Sequence, residues 1–237
     1  MVTEMLILAI DTSANTATCA ILKDGRMLAL YTENGLLTHS ETMLPMIENM
    51  LSKAAVQISE IDAFAVSEGP GSFTGVRIGV SLIKGLDFKT GKPCIGVSTL
   101  AALAKNFDGY DGYVVPVMDA RRNQVYTSIF KDGKRLTQDT LIPLDELKTR
   151  LNEIGADNIK LCGDGYDLAY KYFDGSEITV IPTSPLLIPQ NALSVALIAK
   201  ELLEFGEGKS DRELSARYLR ASQAERELNE KLSLSKQ

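Results

Sequence analysis

The sequence is poor in the residues on which many metal, redox and disulfide functions depend. Its 237 residues include no tryptophan, one histidine and three cysteines. Cys19, Cys94 and Cys162 are far apart, and each lies in an apolar, strand-like stretch. This spacing indicates neither a disulfide framework nor a paired-cysteine metal site. We therefore predict three buried free thiols.

Long apolar runs are absent as well, since no stretch approaches the roughly 18 residues needed to cross a bilayer. The segment Met1 to Met5 carries Glu4 where a signal peptide carries basic residues. We expect a cytoplasmic protein that does not associate with membranes.

Positive charge is also scarce, because 25 lysines and arginines face 31 acidic residues and the net charge is -6. Affinity for nucleic acid comes mainly from basic side chains that neutralise phosphates. The basic run at residues 120–123 is short, and we interpret it as a solvated turn. We therefore expect that the chain does not hold RNA by itself.

The most informative feature that is present is an internal repeat. Residues 7–28 and 115–136 align without a gap at a spacing of 108, with seven identities in 22 positions. Chance would give roughly one or two. The identical pairs are Asp11/Asp119, Asn15/Asn123, Ile21/Ile129, Lys23/Lys131, Asp24/Asp132, Gly25/Gly133 and Leu28/Leu136. Each copy predicts a strand, a turn after the aspartate, a second strand and a hairpin into a third.

Elsewhere, helical and strand patterns alternate, which is typical of the α/β class. Thr38 and Glu41 have the spacing of a capping box for a helix to about Val56, and Asn191 can cap another at 193–205. A duplicated two-lobe actin-like ATPase or RNase H-like fold is therefore predicted. Its parts are an N-terminal lobe at 1–106 completed by a C-terminal helix at 191–206, a C-terminal lobe at 107–190, and a charged, partly ordered tail at 207–237.

In this fold a nucleotide lies between the lobes, facing the turns that follow the two aspartates. Asp11, Thr12 and Ser13 are thus candidates for a phosphate-side loop. The alternative is that Asp11 only satisfies backbone donors in its own turn, and the sequence leaves both interpretations open. For Asp119 the structural interpretation is favoured, because the following arginines can pair with it.

A glycine-rich stretch, EGPGSFTGVRIG at residues 68–79, joins a strand to a helix predicted at 76–88. Free N–H groups at a helix start favour anions, so a second candidate phosphate loop consists of Gly69, Gly71, Ser72, Thr74 and Gly75. The stretch lacks the Gly-Lys-Ser/Thr ending of a P-loop. A tight architectural turn is therefore the alternative. Arg77 opposes the helix dipole and suggests an acidic partner.

The motifs ILAIDTS at 7–13 and SEGPGSFTGVRIG at 67–79 resemble the bacterial TsaB (YeaZ) family of tRNA threonylcarbamoyladenosine biosynthesis proteins. The resemblance covers nearly the whole chain and implies a non-catalytic scaffold or activator subunit. Its expected partners are the catalytic paralogue TsaD and the ATPase TsaE, which together modify the adenosine next to the anticodon in tRNAs that read ANN codons. It implies no tightly bound cofactor, and it implies that ATP or ADP, like tRNA, is contacted only in the complex. It also implies a homodimer when TsaD is absent.

The same resemblance bears on metal binding. TsaD presents two histidines four residues apart on one helix face, and the matching positions here are His39 and Met43. A lone imidazole falls short of the three or four protein ligands of a typical site. We expect neither a catalytic metal nor group transfer by the isolated chain, and we expect His39 to cap or pair at the helix start.

A methionine-rich helix suggests where a partner binds. We predict that the helices at 39–56 and 76–88 form a bundle with the same helices of TsaD, or of a second copy. The predicted contact residues are Met43, Met46, Ile47, Met50, Arg77, Val80 and Ile83. Burial in the core is the alternative for this apolar set. Two rival functions are a nucleotide-binding phosphotransferase of the same fold and a purely structural homodimer.

Overall fold

The computed structural model describes residues 5–35, 37–88 and 90–220, and these form two α/β lobes. The expectation based on Glu4 and the part of the predicted tail after residue 220 lie outside the described residues. Within the described ranges, no helix is both long and apolar enough to span a bilayer.

The first lobe is built on a five-stranded sheet with the strand order β3-β2-β1-β4-β5. The strands are β1 (Leu6–Asp11), β2 (Ala17–Lys23), β3 (Arg26–Glu33), β4 (Ala63–Gly69) and β5 (Cys94–Ser98). The first three strands are antiparallel, whereas β4 and β5 run parallel to β1. The helices of this part of the chain are α1 (His39–Ala54), the 3-10 turn Ile58–Glu60, α2 (Phe73–Asp87) and α3 (Thr99–Lys105).

The second lobe repeats this plan with shorter elements. Its strands are β6 (Tyr113–Asp119), β7 (Gln124–Thr127), β8 (Phe130–Lys131), β9 (Lys134–Arg135), β10 (Thr140–Pro143), β11 (Asn158–Cys162) and β12 (Thr179–Val180). Its main sheet has the order β10-β7-β6-β11-β12, with β8 pairing with β6 and β9. The helices that follow are α4 (Leu144–Glu153), α5 (Tyr166–Phe173) and α6 (Ala192–Glu204).

The internal repeat has a direct structural counterpart. Asp11 ends β1 and Asp119 ends β6, and in both sheets this strand lies between an antiparallel hairpin partner and a parallel strand. The second copy differs in its second strand, which is divided into β7 and β8. Between these two parts, the N–H of Ile129 donates to the Thr137 hydroxyl at 2.8 Å. The duplicated two-lobe, actin-like architecture predicted from the sequence is confirmed.

The helix boundaries follow from their caps. The predicted capping box of Thr38 and Glu41 is present at the start of α1, and Asn191 caps α6 by accepting from the N–H of Leu193 at 3.0 Å. Helix α2 begins at Phe73, three residues before the predicted start. The reason is that the Ser72 hydroxyl accepts from the N–H of Gly75 at 3.2 Å and so caps the chain earlier.

Helices cover both faces of the first sheet. On one face, α1 and α2 bury side chains against β1, β2 and β4, and on the other α6 packs against β1, β2 and β5. Cys19, Cys94 and Cys162 are buried free thiols, as predicted, and burial raises the pKa of Cys19 and of Cys94 to about 12.

The chain after α6 returns to the first lobe. Cys94 and Lys209 form a backbone bridge with N–O distances of 2.8 and 3.0 Å, and Leu214 is fully buried in the core beneath α1 and α2. Residues 207–220, which the sequence groups with the tail, are therefore attached to the fold at defined points, although most of them are exposed. They end at the opening between the lobes.

Candidate functional site

The loop after β1 is sealed by its own hydrogen bonds. The buried carboxylate of Asp11 accepts from the N–H of Ser13 at 2.8 Å and from its hydroxyl at 2.6 Å. The Ser67 hydroxyl donates to the other carboxylate oxygen at 2.5 Å. Burial raises the pKa of Asp11 above its ordinary value of 3.8, although these three donors oppose the shift. Asp11 thus satisfies its own turn and the neighbouring strand.

The glycine-rich turn packs directly onto this loop. A Cβ atom at Gly75 would lie 2.0 Å from the carbonyl oxygen of Thr12, and one at Gly71 would lie 2.4 Å from that of Ser13. The N–H of Ser72 donates to the Ser13 carbonyl at 2.7 Å, and the Thr12 hydroxyl donates to the Gly75 carbonyl at 2.7 Å. These glycines allow two backbone segments to touch.

The two candidate phosphate loops therefore contact each other. Asp11, Thr12 and Ser13 are completely buried, while Ser72 and Thr74 are exposed. Gly69 has a φ of 117°, and a Cβ atom there would lie 2.3 Å from the Arg217 carbonyl oxygen. These contacts favour the architectural interpretation of the turn.

A cleft of about 530 Å³ lies between the lobes, beside this double loop. Asp119 and Asp164 line its second-lobe side. Asp119 accepts from the N–H of Arg121 at 2.7 Å and lies 3.6 Å from its guanidinium, which is the pairing predicted from the sequence. The cleft walls reduce the hydration of the Asp164 carboxyl and raise its pKa to about 6, and the Asp119 charge adds to the shift.

The second-lobe loop has an unusual backbone. Arg121, Arg122 and Asn123 have φ values of 66°, 57° and 57°, in the left-handed region that costs energy for residues with a Cβ atom. All three side chains are exposed. This loop corresponds in the repeat to residues 13–15, where Ser13 is buried, so the two copies present different surfaces to the cleft.

The C-terminal segment crosses the cleft at residues 217–220. The N–H of Arg217 donates to the Glu68 carbonyl at 2.6 Å, and the Arg220 guanidinium donates to the Ala120 carbonyl at 2.9 Å. Because Glu68 belongs to the first lobe and Ala120 to the second, this segment connects the two.

Tyr218 completes an aromatic and cationic stack on that segment. Its ring stacks on Phe73 with a centroid distance of 4.3 Å, and the Arg77 guanidinium lies 4.0 Å from the Phe73 centroid. The Nε of Arg77 also donates to the Tyr218 hydroxyl at 2.9 Å. Arg77, which the sequence assigned to an acidic partner, thus has partners within the chain.

A groove of about 480 Å³ separates the exposed faces of α1 and α2. Its lining is largely apolar and consists of His39, Ser40, Met43, Leu44, Phe73, Thr74, Arg77, Ile78, Ser81 and Leu82. Leu44 is 42% exposed, which is high for a large apolar side chain. This groove is an accessible apolar surface on the two helices that the sequence analysis predicted to bind a partner.

The predicted contact residues need correction. Most of them lie in the core, with exposures of 6% or less, and of these only Met43 also borders the groove: Met43, Ile47, Met50, Val80 and Ile83. Only Met46, which is partly buried, and the exposed Arg77 reach the surface. The helices pack their apolar stripe against the sheet, so the accessible face is rotated toward Leu44, Ile78 and Leu82.

His39 lies between the groove and the loop after β1. Its Nε2 donates to the Ala14 carbonyl at 2.6 Å, so the imidazole fixes α1 to that loop. The sequence predicted a role at the helix start but not this partner. Thr38 and Glu41 supply the cap instead.

Sequence reasoning missed Tyr218, Phe73 and Asp164 as contributors to the cleft. Tyr218 is 145 residues from Phe73, and no local pattern signals that pairing. Asp164 follows β11, the strand that runs parallel to β6, and polar residues just after the carboxyl end of a parallel strand are the usual candidates for a cleft.

Comparison with known proteins identifies the family. A family model described as TsaD, tRNA N6-adenosine threonylcarbamoyltransferase, matches residues 35–179. The tRNA threonylcarbamoyladenosine biosynthesis protein TsaB of Haemophilus influenzae is 30% identical over 212 residues, which are 85% of this chain and 88% of that protein. The TsaB of Bacillus subtilis is 39% identical over 127 residues, 54% of this chain and 56% of that protein, so that match spans about half of each.

A solved structure described as YeaZ from Pseudomonas aeruginosa superposes with a TM-score of 0.74 at 27% identity, covering 91% of this chain and all of that one. The similarity extends over both lobes, as the coverage requires. The chain belongs to the TsaB family, also called YeaZ.

Proposed function

We propose that this chain acts in the biosynthesis of threonylcarbamoyladenosine in tRNA as a non-catalytic subunit that binds and organises a TsaD-type transferase. Its similarity to TsaB proteins of Bacillus subtilis and Haemophilus influenzae supports the pathway. The match of residues 35–179 to a TsaD model supports common ancestry with the transferase. Related chains can pair through equivalent helices, as subunits of homo-oligomers do.

The observation that carries the partner surface is the groove between α1 and α2. Leu44, Ile78 and Leu82 place apolar surface at solvent there, and apolar patches of this kind commonly mark protein–protein contacts. Ser40, Thr74 and Ser81 supply polar groups around it, as at the rim of an interface. We infer that a helix pair of the partner covers this groove, and that a second copy of the chain occupies it when the partner is absent.

The non-catalytic role is supported by the hydrogen bonds and burial that already engage the candidate catalytic groups. His39 is the single histidine of the chain, and its Nε2 is engaged by the Ala14 carbonyl. The loop at residues 11–13 is buried and already binds the Asp11 carboxylate. We infer that ATP or ADP binds only within the complex, with TsaE as a third subunit.

A binding experiment with purified TsaD from the same organism tests the surface. Leu44→Asp places a charge in the groove, and we expect an affinity loss of about 30-fold or more, the size of a hot-spot substitution. The matched control is Leu186→Asp, because Leu186 is 83% exposed and lies outside the groove. We expect the control to bind like the wild type. Equal affinities for both variants would show that the groove is not the interface.

Reconstitution tests the function itself. Unmodified tRNA, the threonylcarbamoyl-adenylate donor, TsaD and TsaE should yield threonylcarbamoyladenosine only when this chain is added. Product formation without the chain would refute its role. Titration calorimetry with ATP separates the rival phosphotransferase, since stoichiometric binding by the isolated chain would favour that enzyme.

A further inference from the structure

The second lobe carries a cavity of about 690 Å³ outside the groove and next to the cleft. Pro143, Leu144 and Leu168 provide its apolar lining and Tyr172 an aromatic one. Three basic side chains, Arg122, Lys171 and Arg220, also line it. Cavities of this size with an apolar floor and a few polar groups are typical of ligand sites.

Two of these cations have no carboxylate partner, unlike several other basic residues in the part of the chain that the structure describes. Arg135, Lys148, Arg150 and Lys200, for example, each form an ion pair with a carboxylate. Among the residues that the structure describes, no ion pair involves Arg122 or Lys171. Both are exposed. Their charges are therefore available to an external anion.

The basic surface continues from the cavity into the cleft. Arg122 and Arg220 line both hollows, and Arg121 and Arg217 line the cleft beyond them. The two hollows together have five basic lining residues and three acidic ones, Asp119, Asp145 and Asp164. The local balance is thus +2 in a chain whose net charge is -6. Asp145 also accepts a hydrogen bond from the Tyr172 hydroxyl, and Asp119 pairs with Arg121.

We propose that this surface, formed by Arg122, Lys171, Arg220 and the cavity between them, binds the phosphate backbone of RNA with one nucleotide seated in the cavity. The cations would contact consecutive phosphates, and the Tyr172 ring with Leu168 offers the apolar contact that bases favour. Because the basic residues extend from the cavity into the cleft, they match a series of phosphates better than a single nucleotide. The proposal rests on the proposed function in taking tRNA as the RNA concerned.

The position of the surface is compatible with partner binding. None of its residues lines the groove between α1 and α2, so RNA and a helix pair could occupy the chain together. The contact is small, which agrees with the acidic net charge: this subunit would add a few phosphate contacts to those made by its partner.

The test uses the full-length chain and a fluorescently labelled, unmodified transcript of a tRNA that reads ANN codons. Anisotropy titrations at several salt concentrations give the affinity and the slope of log K against log[salt]. Arg122→Glu with Lys171→Glu should lower the affinity at least about tenfold, and loss of two phosphate contacts should reduce the slope by about 1.4–1.8. Thermal unfolding checks that the double variant is folded. If it is not, Arg122→Ala with Lys171→Ala is measured in its place.

The matched control is Lys134→Glu with Arg212→Glu, because both residues are exposed and lie outside the two hollows. It changes the net charge by the same amount, about -4, by removing two cations and adding two carboxylates. Equal losses in the two double variants would therefore attribute binding to net charge and overturn the proposal. An unchanged affinity in the first variant would overturn it too. So would displacement of the tRNA by AMP, which would indicate a mononucleotide site.

Failure here is distinguishable from failure of the proposed function. If the Arg122→Glu/Lys171→Glu variant binds tRNA normally while reconstituted modification still requires the chain, only this inference fails. If modification does not require the chain, the proposed function fails, whatever the tRNA affinity.

Discussion

Helix α2 contains three glycines in very different surroundings, and they offer a test of what the glycine-rich turn does. A Cβ atom at Gly75 would lie 2.0 Å from the Thr12 carbonyl oxygen, far inside the 3.0 Å that real Cβ contacts respect. At Gly79 the nearest atom, at 2.5 Å, is the Thr12 hydroxyl oxygen, which belongs to a side chain. At Gly85 nothing lies within 4 Å.

These distances set the expected order of stabilities. Gly75→Ala must push two backbone segments apart by about 1 Å or more, and overpacking of this kind costs about 1–3 kcal/mol. The Thr12 hydroxyl bond to the Gly75 carbonyl would also be disturbed, which adds about 1 kcal/mol. We expect a loss of about 3 kcal/mol for Gly75→Ala and of about 1–2 kcal/mol for Gly79→Ala, because a side chain moves more easily. Gly85→Ala should gain up to about 1 kcal/mol through helix propensity.

The assay is thermal and urea unfolding followed by circular dichroism, since the chain has no tryptophan. For a chain of this length, about 1 kcal/mol corresponds to about 2–4 °C in Tm, so Gly75→Ala should melt about 6–12 °C lower and Gly85→Ala slightly higher. If Gly75→Ala were as stable as the wild type, the turn would not be held against the Thr12 loop. The architectural interpretation would then be wrong.

Two further predictions concern the cleft. Tyr218→Ala removes the stack on Phe73 and should destabilise the protein by about 1 kcal/mol. Tyr218→Phe keeps the stack and should lose only the hydrogen bond to Arg77. Equal losses in the free energy of unfolding, measured with urea, would contradict this. Asp164 has a folded-state pKa of about 6 against an ordinary 3.8, so the folded state holds its proton more tightly and the contribution of Asp164 to stability falls as pH rises from about 4 to about 6. Asp164→Asn should therefore gain stability relative to the wild type over that interval, and a difference independent of pH would refute the assignment.

The sequence predicts the fold well because its main signals are local or repeated. The 108-residue repeat places Asp11 and Asp119 at equivalent strand ends, and Thr38 and Asn191 mark two helix starts through cap chemistry. Each of these signals depends on neighbours within a few residues or on a direct comparison of two segments. The structure agrees with them for that reason.

The proposed partner surface was harder to predict because its assignment depends on which way each helix faces. Met43 and Leu44 are adjacent and both apolar, yet the first is fully buried and the second is 42% exposed. Apolar residues span so much of α1 that the pattern does not fix its rotation against the sheet. Long-range contacts such as Tyr218 on Phe73 leave no local pattern at all. Both limits concern tertiary packing rather than secondary structure.

The duplication gives physical meaning to the difference between the two lobes. In the first copy, the Asp11 carboxylate takes the Ser13 N–H and hydroxyl, so an internal anion already occupies the donors that a phosphate would need. Gly75 then brings α2 onto the same loop and closes it. In the second copy, the loop at residues 121–123 stays exposed and carries two arginines. A nucleotide held between the two equivalent loops requires both loops to be open. A phosphate backbone that passes over the second lobe requires only the loop at residues 121–123 to be open. This asymmetry favours RNA contact over nucleotide binding for the isolated chain.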